Sequence, residues 1–191
     1  MNDKTGTNVA SSLRWAWIAV LVAAALAALE TRQLVMLIHW ERTLPFARDL
    51  LPSAIAEASM ALAAYLLIIA LLLVRRARKW ACALGIGWGA IVMGVSLWVL
   101  VGPDVKNLWQ ELLLRAHLTR VLIRYQYFGG SEQWMTISTA GLNALLALGS
   151  AKGFADCPRD RLDRGIIVVG IFYAALYYLV MAIVARLVTP H

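Results

Sequence analysis

The sequence predicts an all-α, polytopic membrane helix bundle, and three observations carry that expectation. Residues 54–74 form a run of twenty-one with one charge, Glu57. At about 1.5 Å per residue the run reaches roughly 30 Å as a helix, the hydrocarbon thickness of a bilayer. Arg75, Arg76, Arg78 and Lys79 follow at once. Short loops rich in Lys and Arg stay in the cytoplasm, so this cluster marks the side on which the run ends. Finally, 61% of the 191 residues are hydrophobic and the mean hydropathy is +0.70, whereas soluble domains are about 45–50% apolar.

The expected organisation is one integral membrane domain over 1–191, with no separate soluble unit. The formal charge of +7 lies at the ends of apolar runs, where orientation and lipid head groups account for it without nucleic acid as a partner. Cys82 and Cys157 form no CxxC and have no clustered histidines, so neither a metal site nor a redox motif is read from them. Lys4, Arg14 and the Ala25-Leu26-Ala27 tripeptide resemble parts of a signal peptide. The apolar stretch 15–29 is long for its central region, however, and reads as part of a first span.

Five spans, alternatively four, are expected at about 13–38, 54–74, 80–101, 134–151 and 165–185. In the first, Ser11 or Ser12 suits an N-cap. Glu30-Thr31-Arg32-Gln33 interrupts the apolar run without breaking the helix, which ends around Arg42 to Leu44, ahead of Pro45. Asp49 caps the second helix and Pro52 occupies its first turn. The third has no charge between Lys79 and Asp104 and closes on Gly102-Pro103.

Residues 105–128 read differently. Leu108, Trp109, Leu112, Leu113 and Ala116 keep helical spacing, but Lys106, Glu111, Arg115, His117, Arg120 and Arg124 lie among them. Each charge at mid-membrane costs roughly 2.5–3.5 kcal/mol, so a basic amphipathic helix in the interface is expected, with Arg115, Arg120 and Arg124 as lipid-phosphate contacts. Residues 134–151 carry Thr136, Ser138, Thr139, Asn143 and Ser150, and read either as a fourth span among the others or as a re-entrant piece. With five spans and the N-terminus inside, ten of eighteen basic residues are cytoplasmic; with four spans, seven are. The charge rule favours five.

Candidate sites follow. Glu57 is the one ionisable residue of the second span. It reads either as a first-turn acid at the interface, favoured by the helix dipole, or as a proton or cation ligand facing the bundle interior, with Thr139 and Asn143 completing a polar path. Glu30, Arg32, His39 and Glu41, beside Arg42, form a second cluster expected at the outer rim of span one, either a solvated turn or an anion or proton site. A metal would want a second nearby histidine, and the three histidines are too dispersed for haem, so no cofactor is expected. In span three, Gly85 and Gly89 form a GxxxG, while Ala83, Gly87, Ala90 and Gly94 follow one helix face. Small residues let membrane helices approach, so these faces serve packing within the chain or docking of another subunit. Tyr173, Tyr177 and Tyr178, near the middle of the last span, call for hydrogen-bond partners, for which Thr139 and Asn143 are available.

No residue pattern narrows the choice to a family. The leading expectation is a non-enzymatic membrane protein acting through helix contacts: an accessory or assembly subunit of a larger inner-membrane complex, immunity-type binding included. Its partners would be lipids and another membrane subunit or a second copy. The alternative is a small oligomeric transporter or channel using an intramembrane carboxylate. An intramembrane lipid- or quinone-active enzyme ranks third, since no DxxD, HExxH or GxSxG is present. Heavy use of Ala, Leu and Arg points to a bacterial inner membrane, with the N-terminus cytoplasmic.

Overall fold

A computed structural model describes residues 4–43, 51–111, 113–115, 117–118, 130–157 and 161–188, with side chains described at 14–39, 54–111, 113–115, 117–118, 130–157, 161–180 and 183. Five long helices make up the bundle: α1 Lys4–Thr43, α2 Leu51–Leu73, α3 Arg78–Val101, α4 Glu132–Ala155 and α5 Asp163–Val188. There is no strand among the described residues. Among the described residues, four segments are long and apolar enough to cross a membrane, Arg14–His39, Ala54–Leu73, Arg78–Val101 and Asp163–Val180. The chain is a membrane-embedded helical bundle.

The termini of the helices have local causes. α1 runs without interruption for 40 residues, about 60 Å. It passes through Ser11 and Ser12, so neither is the N-cap expected of it. It also passes through the polar quartet 30–33, where the Thr31 hydroxyl donates to the Ala27 carbonyl at 2.8 Å and so satisfies itself within the helix. The expected Asp49 cap lies outside the described residues. α3 stops at Gly102, whose φ of 96° is open to glycine and strained for other residues, and Pro103 then prevents continuation. α4 opens on Ser131, whose hydroxyl accepts from the Trp134 N–H at 3.4 Å. Glu132 in its first turn and Lys152 in its last complement the dipole.

Consecutive helices of the bundle run antiparallel. Lys79 at the start of α3 pairs with Asp163 at the start of α5. Gly153 near the end of α4 lies against Cys82 and Ala16, and Gly149 against Ala19. The beginnings of the α1 span, α3 and α5 therefore share one end with the finishes of α2 and α4. Arg14, Arg75, Arg76, Arg78, Lys79, Lys152, Arg161 and Arg164 gather there, and it is called the basic face below. α4 is 24 residues long and runs the depth of the bundle as a fifth member. Its most extensive partner is α3, followed by α1.

Two seams organise the packing. On α1 the buried positions include Ala16, Ala19, Ala23, Leu26, Glu30, Gln33 and Leu37, alternating three and four residues apart, with Ala27 beside them. On α2 they include Ala54, Ala58, Ala61, Tyr65, Ile68 and Leu72, in the same rhythm. That spacing keeps one stripe facing a neighbour in left-handed coiled packing. Around α3 the contact is closer: a Cβ added at Gly85 would meet Ser150, at Gly89 it would lie 2.5 Å from the Asn143 carbonyl oxygen, and at Gly87 it would fall on the Gly170 backbone. Gly85 and Gly89 thus seat α4, and Ala83 and Gly87 seat α5, so this small-residue face is largely used within the chain. Gly94 has no neighbour within 4 Å of such a Cβ.

In the expected interfacial helix, residues 108–111, 113–115 and 117–118 are helical. The helix begins later than the expected 105, because the Asn107 side chain accepts from the Gln110 N–H at 3.0 Å and caps it there. Leu113 packs against the main core, and His117, one turn on, is buried. The segment is seated on the bundle at that edge.

Candidate functional site

The outer-rim cluster expected from the sequence divides across two sides of α1. Glu30 is 1% exposed and the neighbouring Gln33 is buried with it, whereas Arg32 and His39 are exposed. A helix turns about 100° per residue, so positions two apart point to opposite sides. The Glu41 and Arg42 side chains lie outside the described residues. Glu30 is therefore no part of a solvated turn. It lies nine residues inside the His39 end of the α1 span, about 14 Å along the axis.

Glu57 is 4% exposed. Leu37 packs on Ala54 and Ala58, and Ala16 and Leu72 line one groove at the other end. These two anchors set the antiparallel register of α1 and α2. Gln33 then falls within about one turn of the level of Glu57, and Glu30 about one turn deeper. Glu57 is thus buried at about the level of Gln33 along the bundle axis. Each of the three has a polar or electrostatic interaction of its own in the structure.

Asn143 and Thr139 belong to a second polar centre. The Tyr65 hydroxyl donates to Asn143 Oδ1 at 3.3 Å, and Asn143 Nδ2 donates to the Thr139 carbonyl at 2.9 Å. All three residues are fully buried. The partner that Asn143 takes is thus a tyrosine of α2, not one of the tyrosines of α5. Trp88 stands beside it, edge-on to Tyr65 with centroids 5.7 Å apart and to Tyr177 at 4.5 Å, and Tyr177 is edge-on to Tyr178 at 5.2 Å. Edge-to-face rings at such separations attract through their quadrupoles. The cluster ties α2, α3, α4 and α5 together, and neither Tyr65 nor Trp88 was singled out by sequence. Tyr65 stands alone in an apolar run, and by sequence the tryptophans, Trp88 among them, mostly fall near span ends and read as interface anchors.

The remaining candidates carry little chemistry. Arg115 is exposed and engaged by Glu111 at 2.5 Å; Arg120 and Arg124 lie outside the described residues. The Cys157 thiol donates to the Gly153 carbonyl at 3.3 Å. Burial pushes that thiol up from its ordinary range, against the pull of Lys79 and Arg78, so at neutral pH it is a thiol and a poor nucleophile. Among the described residues, no group of three or more His, Cys, Asp or Glu is placed to hold a metal ion.

No protein-family model, curated protein or solved structure matches this chain.

Proposed function

We propose that this is a non-enzymatic membrane protein, a small transporter or channel whose working groups are the carboxylates of Glu30 and Glu57. One observation carries the reading: two acids, one on α1 and one on α2, are 1% and 4% exposed inside an apolar bundle. Packing alone does not call for them, because alanine fills comparable positions at 23, 54, 58 and 61. A carboxylate inside a membrane bundle is a candidate ligand for a proton or a cation. Alternation between holding and releasing that ion is the elementary step of proton- or cation-coupled movement. The crowding of basic residues at one end supports a cytoplasmic N-terminus, and the composition supports a bacterial inner membrane.

Flux into liposomes, followed with a pH-sensitive dye, tests the reading. Glu30→Gln and Glu57→Gln should each lower proton or cation flux at least about tenfold while leaving thermal unfolding close to wild type. Wild-type flux in both variants ends it.

A second reading, an accessory or immunity-type subunit, is favoured by one observation. Ala90, Gly94, Leu97 and Val101 form an exposed stripe on α3, and among the described residues nothing lies within 4 Å of a Cβ built on Gly94. A helix of another membrane subunit, or of a second copy, fits such a stripe. A wild-type protein without flux that co-purifies with a stoichiometric larger partner would favour it.

A further inference from the structure

A groove opens at the basic face between α1 and the end of α2. Ala16, Trp17 and Val20 form one wall, Leu72 and Leu73 the other, and Arg78 stands at its head; the space is a narrow slot of about 80 Å³, well short of the roughly 300–1,000 Å³ of pockets that enclose a whole small molecule. Arg78 Nε is buried and meets no hydrogen-bond acceptor among the described residues. A guanidinium N–H removed from water calls for an acceptor, best an anionic one. Arg78 is also the first residue of α3, a 24-residue helix whose N-cap, Ala77, supplies no side-chain hydrogen bond. The free N–H groups of such a helix start attract phosphate. Arg14, Arg75 and Arg76 are exposed near this end, and Lys79 is held by Asp163.

An apolar slot headed by a cation and a helix N-terminus matches a ligand with an aliphatic tail and a negative head. We propose that the groove binds one anionic phospholipid of the leaflet on the basic face. Its phosphate lies at Arg78 and the start of α3, and one acyl chain lies between α1 and α2. Free phosphate would leave the apolar walls unfilled. A zwitterionic lipid would bring an ammonium group towards Arg14, Arg75 and Arg76. This inference does not rest on the carboxylate reading, because the groove is at the opposite end of the α1–α2 seam.

The test uses the full chain in detergent, with native mass spectrometry and thermal unfolding in the presence of phosphatidylglycerol, phosphatidylcholine or inorganic phosphate. The expected result is one phosphatidylglycerol retained per chain and a raised Tm with that lipid alone. Arg78→Gln should weaken binding about tenfold, the worth of a charge-assisted hydrogen bond. Val20→Trp, which fills the slot and leaves every charge in place, should weaken it by a similar factor. Phosphatidylcholine held as tightly, inorganic phosphate giving the same rise in Tm, or either folded variant binding at wild-type affinity would overturn the proposal. If Arg78→Gln does not fold, Val20→Trp alone decides.

Discussion

The α3 contacts and the α1–α2 seam bury helices by opposite means. Around α3, glycine and serine let backbones touch, so the fit is limited by geometry: Gly87 lies against Gly170, and Gly170 in turn against the Ala83 carbonyl. Along α1 and α2, alanines and larger apolar side chains interlock; Glu30 and Gln33 take places in the α1 stripe, and Glu57 is buried beside the α2 stripe. Here the limit is chemical, since an amide of the same shape replaces a carboxylate without moving a helix. One region therefore holds the bundle together, and the other has room for a polar function that can be removed while the fold stays.

The strongest way to break this comparison is to add atoms at a backbone contact. Gly87→Leu would drive a side chain into the Gly170 backbone, which cannot rotate away. The expected loss is about 3 kcal/mol or more, at the upper end of overpacking costs. Gly94→Leu adds the same side chain to the same helix where no neighbour lies within 4 Å, and should change stability by less than about 0.5 kcal/mol. Thermal unfolding of the two variants in one detergent checks the pair. Equal melting temperatures would show that α5 is not seated on α3 through glycine.

A smaller effect is expected where a polar contact joins two helices at ordinary distance. Asn143→Ala removes the acceptor of the Tyr65 hydroxyl and leaves that oxygen buried. Interhelical hydrogen bonds inside membranes are worth about 0.6 kcal/mol on average and up to about 1.7, and the truncated side chain adds a small cavity. A loss of about 1–2 kcal/mol is expected, and Tyr65→Phe, which leaves no orphaned hydroxyl on α2, should cost less. A Tyr65→Phe variant less stable than Asn143→Ala would place the main role of Tyr65 elsewhere.

These regions differ in how legible they were in the sequence. α2, α3 and α5 could be read almost to their ends, because a long apolar run with charges outside it has one economical solution in a bilayer. The glycines of α3 announced close neighbours, but their assignment, 85 and 89 to α4 and 87 to α5, depends on tertiary packing. α4 stayed ambiguous because its polar residues are accommodated by groups far away in sequence: Asn143 by the Tyr65 hydroxyl, and the bulk of Ser150 by the space that Gly85 leaves. The signal for Glu30 was present and outweighed. Arg32, His39 and Glu41 nearby suggested one solvated turn, while the three-four alternation from Ala16 through Leu26 to Leu37 already included positions 30 and 33. Ser11 and Ser12 misled for a simpler reason. A serine that suits a cap is tolerated inside a helix at small cost, and α1 continues past both.

The smallest effect belongs to the segment that neither seam includes. Glu111 and Arg115 form an exposed pair four residues apart, with side chains 43% and 55% accessible. Pairs of this kind contribute about 0.3–0.5 kcal/mol, and salt screens them. Glu111→Gln should lower stability by no more than that, and the difference should vanish as ionic strength rises from 0.02 to about 0.5 M, where the Debye length falls to a few ångström. The variant also removes the Glu111 carboxylate from the Arg115 guanidinium. If residues around 115 meet lipid phosphate, Glu111→Gln should therefore raise retention of anionic over zwitterionic lipid on this segment, an increase that Arg115→Gln cancels. Because Leu113 and His117 are packed inward beside this pair, a loss well above 0.5 kcal/mol that persists in high salt would mean that Glu111 steadies the docking of the segment on the bundle, and the boundary between held and surface regions would move outward to include it.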